Sequence, residues 1–212
     1  MLSTKFKCIF VHIPKTGGQS IEHVFLKLHN LSWEERAPLL LRHNPNPELG
    51  PERLAHLKAE EYIKCNYISE NEFVEYFKFA FVRNPWARLV SEYHYKKYDQ
   101  KYTFREFVLN GLPKESSYRD SYRHIEPQYN FVHDSNGKLI VNFIGKFENF
   151  QSDFQQVCYR LGFQNIELPH VNKSSYKKSI DYREYYDNET MEIVENIYEK
   201  DIETFNYVFE SV

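Results

Sequence analysis

An α/β fold built on a largely parallel sheet follows from three observations. Residues 7–13, 78–83 and 141–146 are short apolar runs rich in β-branched and aromatic side chains, which reads as buried strand. Each run leads into a segment with helix-start chemistry or helical spacing. Strands that alternate with helices in this way pack as a parallel sheet with helices on its faces. The chain has 212 residues, 42% hydrophobic and 27% charged, which suits one compact domain covering 1–212.

The elements follow in order. Pro14 stops the first strand, and Ile21, Val24, Phe25 and Leu28 set a helical stripe over 20–28. Three prolines make 42–51 a loop, and 52–65 reads as one or two short helices. After the second strand, Asn84 is an N-cap and Pro85 the first helical residue, predicting a helix to about residue 97. Thr103 and Glu106 form a capping box, 134–137 a turn, and Asn149 caps a helix to about residue 161. Residues 172–180 read as a polar loop. Asp187 caps a long last helix with Met191, Val194, Ile197 and Tyr198 on one face.

Composition excludes several classes. No apolar run reaches the ~18 residues of a membrane span, and no leader-type segment opens the sequence. Cys8, Cys65 and Cys158 are widely spaced, without a C-x-x-C, which argues against a disulfide framework and a structural zinc site. A cytoplasmic setting is expected; a Golgi lumen would require an anchor upstream of this sequence. The net charge of −3 conceals an asymmetry: 184–212 carries nine acids and one base, leaving 26 bases against 21 acids elsewhere. Residues 83–105 hold six bases and two acids. The acidic end reads as a solvated helix exterior, and no nucleic-acid partner is expected.

Glycine is scarce, at seven residues, yet Gly17 and Gly18 are adjacent. They lie in Pro14-Lys15-Thr16-Gly17-Gly18-Gln19-Ser20, between a strand and a helix. Glycines allow backbone N–H groups to turn inward, the helix start adds unpaired donors, Lys15 adds a charge, and Thr16 and Ser20 add hydroxyls. This is an anion cradle. It is not a Walker A loop, in which the lysine follows the second glycine and a metal-binding hydroxyl follows the lysine. Phosphate binding without a metal is the expectation, in a P-loop-like, three-layer α/β/α architecture. Arg83 leaves the end of the second strand, where ligands meet an open α/β sheet, and Ser91 lies two turns into the next helix. Together they can grip a second phosphate.

The order strand-Pro-Lys-Thr-Gly-Gly-x-Ser, then Phe-Val-Arg-Asn-Pro-x-x-Arg-Leu-Val-Ser-x-Tyr at 81–93, resembles the PAPS-dependent sulfotransferases. It is most similar to the carbohydrate-type group that includes the heparan sulfate 2-O-sulfotransferases and bacterial relatives. Residues 141–149 look like that family's later strand and helix cap, and 168–174 like its late loop over the nucleotide. The resemblance implies that Pro14, Lys15, Thr16, Gly17, Gly18, Gln19 and Ser20 hold the 5′-phosphosulfate of 3′-phosphoadenosine 5′-phosphosulfate (PAPS). Arg83 and Ser91 would hold the 3′-phosphate, with Asn172, Lys173 and Ser174 as further contacts. PAP is then the product, and a carbohydrate or glycoconjugate hydroxyl the acceptor.

Sulfuryl transfer needs a cation at the leaving oxygen and a base for the acceptor proton. Lys15 suits the first task. His56 suits the second: it lies between the two motifs, where relatives place a histidine ahead of a short helix. Those enzymes commonly show His-x-His; the second position here is Lys58. His12 reads as structural, and Glu22 and His94 are secondary candidates. Most aromatics read as core, while Tyr93, Tyr95 and Tyr98 could line an acceptor cleft. Two alternatives stay open at this point: a P-loop nucleotide kinase-like enzyme, and a non-catalytic PAP-binding module.

Overall fold

The computed structural model describes residues 1–116, 118–164, 166–169 and 181–209. Four strands form one sheet in the order β1 (Leu2–Ser3), β2 (Cys8–Val11), β3 (Phe77–Val82), β4 (Phe143–Lys146). β1 pairs antiparallel with β2, whereas β2–β3 and β3–β4 are parallel, with Phe10 beside Phe79 and Phe81 beside Gly145. The helices are α1 (Gly18–Leu28), α2 (Glu61–Lys64), α3 (Glu70–Glu75), α4 (Pro85–Tyr95) and α5 (Phe104–Glu106). They continue with α6 (Asp120–Arg123), α7 (Tyr129–Val132), α8 (Phe150–Arg160), α9 (Asn188–Ile197) and α10 (Glu199–Phe205).

Strand side chains alternate between two faces. Cys8, Phe10, Phe79 and Phe81 pack on Ile21, Val24 and Phe25 of α1 and Phe154 and Val157 of α8. Ile9, Val11, Ala80 and Val82 pack on the other side with Tyr62, Phe73, Phe131 and Phe205. Helices thus cover both faces, giving the predicted three-layer α/β/α arrangement. A third cluster joins Trp86, Leu89 and Tyr93 of α4 to Phe104, Phe107, Val194 and Tyr198. Tyr93 and Tyr98 are absorbed there: Tyr93 is buried and Tyr98 stacks on Phe107 at 4.6 Å. Only Tyr95 of the three tyrosines stays half exposed, at 52%.

The caps at Asn84 and Thr103 form as expected, each accepting from the backbone N–H three residues on. Two local expectations are corrected. Asn149 makes no side-chain cap, because Phe147–Asn149 already coils as a 3-10 turn that runs straight into α8. Asp187 does cap α9, but the last helix breaks at Tyr198, and Ile197 is exposed at 37% rather than sharing a buried face. Tertiary bonds account for the break. The Tyr198 hydroxyl donates to the Ile125 carbonyl at 2.6 Å, and buried Asp201 accepts from the backbone N–H groups of Gln128 and Tyr129 at 2.9 and 2.7 Å. The acidic end is therefore not all solvated exterior.

Candidate active site

The site lies where β2, β3 and β4 end, the side on which an open parallel sheet takes its ligands. Beyond β2 the backbone turns through left-handed conformations at Lys15 (φ 70°) and Gly17 (φ 84°) before α1 starts at Gly18. The N-cap residue Gly17 offers no side chain to the first helical N–H groups. Gly18 has a different reason to be glycine. A Cβ there would stand 2.1 Å from the His12 ring, and His12 cannot yield, because its Nδ1 donates to Glu22 of α1 at 2.6 Å in a buried pair. Gly18→Ala is expected to cost about 1–3 kcal/mol of stability. Urea unfolding of the variant checks this, and an unchanged midpoint would contradict it.

The remaining loop residues divide by role. The Thr16 hydroxyl donates to the Ile13 carbonyl at 2.8 Å and is buried, so its hydrogen braces the loop. The Pro14 carbonyl accepts from Arg88 Nε at 3.0 Å. Ser20 is buried, with its N–H on the Gly17 carbonyl at 3.0 Å. Gln19 is half-buried. Lys15 reaches out of the loop, its Nζ 3.6 Å from the centre of the Tyr95 ring. Burial pulls its pKa down to about 8, opposed by Glu92 and aided by Arg83, Lys96 and Arg88. The amine stays mostly protonated at neutral pH.

Arg83, at the end of β3, places Nη1 3.3 Å from the Lys15 carbonyl and its guanidinium over the Phe147 ring at 4.5 Å. Burial draws it down to about 10, with Glu148 acting the other way, so the charge persists. Phe147 follows β4, and with Phe150 it crowds the space a Cβ on Gly17 would need. The two sequence motifs and the third strand end therefore meet at one place. Ser91 is half-buried on α4, three residues after Arg88 and four before Tyr95. Both of those contact the 14–15 segment, so helical periodicity puts Ser91 on the same face. Asn172, Lys173 and Ser174 lie outside the described residues.

His56 is buried in a row of imidazoles. Its ring meets His12 at 5.0 Å and His124 at 5.2 Å, edge to face. Each ring holds its own carboxylate through Nδ1: His12 on Glu22 at 2.6 Å, His56 on Asp120 at 2.6 Å, His124 on Glu92 at 2.8 Å. A carboxylate only accepts, so Nδ1 of His56 carries the hydrogen and Nε2 keeps a lone pair. Burial lowers the His56 pKa to about 3; the Asp120 hydrogen bond opposes this, and His12 and His124 add to it. His56 is thus neutral at pH 7. Asp120 itself is pushed up by burial but pulled further down by the hydrogen bonds of His124 and His56.

Other predicted residues are engaged elsewhere. Glu22 is bound to His12. His94 faces Asp99 at 3.1 Å and the Tyr185 hydroxyl at 2.9 Å, away from the loop. Lys58, in the second position of the His-x-His pattern, pairs with Glu126. The imidazoles beside His56 come instead from distant residues 12 and 124. Asp120, His124 and Glu92 carry no local signal: Asp120 pairs with a histidine 64 residues away, and His124 and Glu92 pair with each other across 32 residues. In the sequence Arg88 counts only as one of the six bases of 83–105 and as a position of the second motif. Arg88 is buried and donates to the carbonyls of Pro14, His124 and Glu126 at 3.0, 3.0 and 2.9 Å, tying α4 to the loop and the histidine row. An arginine one helical turn before Ser91 within the second motif was the available signal.

His56, Asp120 and His124 bring ligand atoms within 4.8 Å of one another, a spacing that could hold a cation. Beside Asp120 opens a polar cavity of about 420 Å³, lined by His43, Glu52, Arg53, Lys96, Arg119, Asp120 and Ser121.

The fold is an α/β one: a largely parallel sheet with a Lys-Thr-Gly-Gly turn at its strand ends, an arginine across from that turn and a buried imidazole–carboxylate pair nearby. The family model described as the Sulfotransferase family matches residues 1–208, and the chain belongs to that family. It is a transferase by that membership. An uncharacterized protein of Archaeoglobus fulgidus is 35% identical over 119 residues, covering 53% of this chain and 92% of the archaeal one. No solved structure matches. Among the described residues no helix is long and apolar enough to cross a membrane.

Proposed function

We propose that the chain is a single-domain, PAPS-dependent sulfotransferase acting on a hydroxyl of a carbohydrate or glycoconjugate. The observation that carries this reading is the meeting of the two phosphate motifs, with Arg83 Nη1 3.3 Å from the Lys15 carbonyl. One ligand with phosphates at two positions would engage both. Lys15 and the start of α1 would hold the 5′ end, and Arg83 with Ser91 the 3′-phosphate. The lysine precedes both glycines, unlike that of a Walker A loop, and the Thr16 hydroxyl that follows it donates to the Ile13 carbonyl.

In the reaction the acceptor oxygen bonds to sulfur as the bridging S–O bond to the 5′-phosphate breaks. The acceptor proton goes to Nε2 of His56, and Asp120 steadies the imidazolium that forms. Lys15 neutralises charge growing on the leaving phosphate oxygen. The polar cavity beside Asp120 is where a hydroxyl-rich acceptor would enter.

Thermal stabilisation by adenosine 3′,5′-bisphosphate, compared with ADP and Mg²⁺, followed by labelled sulfate transfer onto a glycan panel, tests the proposal. Mg-dependent ADP stabilisation without a bisphosphate response would overturn it. Bisphosphate binding without transfer to any acceptor would instead indicate a non-catalytic binding module. Within this reading, Arg83→Ala should weaken the bisphosphate about 10- to 100-fold, the value of a charge-assisted contact. A nucleotide lacking the 3′-phosphate should be hardly affected. Equal losses for both ligands, measured by calorimetry, would remove Arg83 from that role.

A further inference from the structure

Tyr95 is an aromatic side chain beside the cradle that the apolar clusters do not account for. It is 52% exposed and belongs to none of the three apolar clusters. Its ring is nevertheless fixed. It lies 5.6 Å from His124 and within 11° of parallel to it. His124 is itself held by Glu92 through Nδ1 and by Arg88 through its carbonyl. Against this held ring rests Lys15 Nζ, 3.6 Å from the centroid, well inside the range of a cation–π contact. A lysine has four rotatable stem bonds and a compact charge, so its head group goes where something favours it. Here the partner is a π face, and one continuous chain of contacts runs Lys15, Tyr95, His124, His56.

We propose that Tyr95 is a positioning residue: its ring face holds the Lys15 ammonium at a fixed distance from the histidine row, ready for the leaving oxygen of the donor. The idea rests on the sulfotransfer reading for its use, but not for its test. The contact uses the ring and not the hydroxyl, so phenylalanine should replace tyrosine without loss. Leucine keeps the cover over Lys15 and removes the π face. Alanine removes both.

The test is the rate at which a water-soluble amine-acylating reagent labels Lys15, read by mass spectrometry of the Lys15 peptide against the other lysines as internal standards. Tyr95→Phe should label at the wild-type rate, and Tyr95→Leu about 5-fold faster, within the span expected of a cation–π contact. Adenosine 3′,5′-bisphosphate should suppress labelling in all variants. In transfer assays, Tyr95→Leu should lower kcat about 5-fold while KM for the donor changes little, and Tyr95→Phe should restore both values. Leucine labelling at the wild-type rate, or phenylalanine behaving like leucine, would overturn the proposal. So would unchanged kcat in Tyr95→Leu. If the protein neither binds the bisphosphate nor transfers sulfate, the sulfotransfer reading fails, and the labelling rates still decide whether Tyr95 holds Lys15. Tyr95 is exposed and outside the core, so these variants should fold; matched melting curves verify it.

Discussion

His56→Ala is expected to lower turnover by about 10²-fold or more while the bisphosphate still binds within about threefold of wild type. The separation follows from geometry. His56 touches His12, Asp120 and His124, none of which lies in the 14–20 cradle. Unchanged turnover would exclude it as the base. The same residue has a pH signature that needs no substrate. Its folded pKa lies near 3, below the ~6.5 of a free imidazole. Below pH ~6.5 the unfolded chain takes up a proton that the folded protein refuses, so stability falls as pH drops, by at most about 1.4 kcal/mol per pH unit for this group. Asp120, with its pKa depressed, acts in the same direction but only from about pH 4 downward. Urea unfolding between pH 6.5 and 4.5 should therefore be flatter in His56→Gln than in wild type. Identical slopes would mean that His56 takes its proton freely in the folded state.

What could be read in advance was whatever the chain writes contiguously. A strand, a turn and a helix succeed one another at 8–28 and again at 77–95, and their spacing, caps and breakers are local properties. The same holds for Lys15, Gly17 and Arg83, which sit at strand ends. Nothing local marks Asp120. It lies in a short helix of ordinary polar composition, and its meaning comes from a histidine 64 residues earlier. Gly18 looked like a residue chosen for backbone freedom, yet its need is set by the His12 ring, which Glu22 holds from the other side. The break at Tyr198 was hidden for a similar reason. Helical periodicity alone would have continued, and it is the bonds of Tyr198 and Asp201 to residues 125, 128 and 129 that rotate the chain.

Asp120→Asn should abolish most of the transfer while changing almost no volume. The carboxylate stands among four partners: His56 Nδ1 at 2.6 Å, Arg53 Nε at 3.4 Å, His124 Nε2 at 3.5 Å and Lys96 Nζ at 3.8 Å. An amide presents one acceptor and one donor group in place of two acceptors. With Arg53 and Lys96 competing for its oxygen, the NH₂ group turns toward His56 and accepts only the tautomer in which Nδ1 is bare. The hydrogen then sits on Nε2, and the base is lost although His56 is still in place. Turnover should fall about 10²-fold or more, with bisphosphate affinity preserved. A decisive version is the double variant His56→Ala/Asp120→Asn. If Asp120 acts through His56, the double variant is no slower than His56→Ala alone, because residues that work as a unit do not lose activity additively. Multiplied losses in the double variant would instead assign Asp120 a task of its own, most directly at the cavity it lines with Arg53, Lys96 and Arg119.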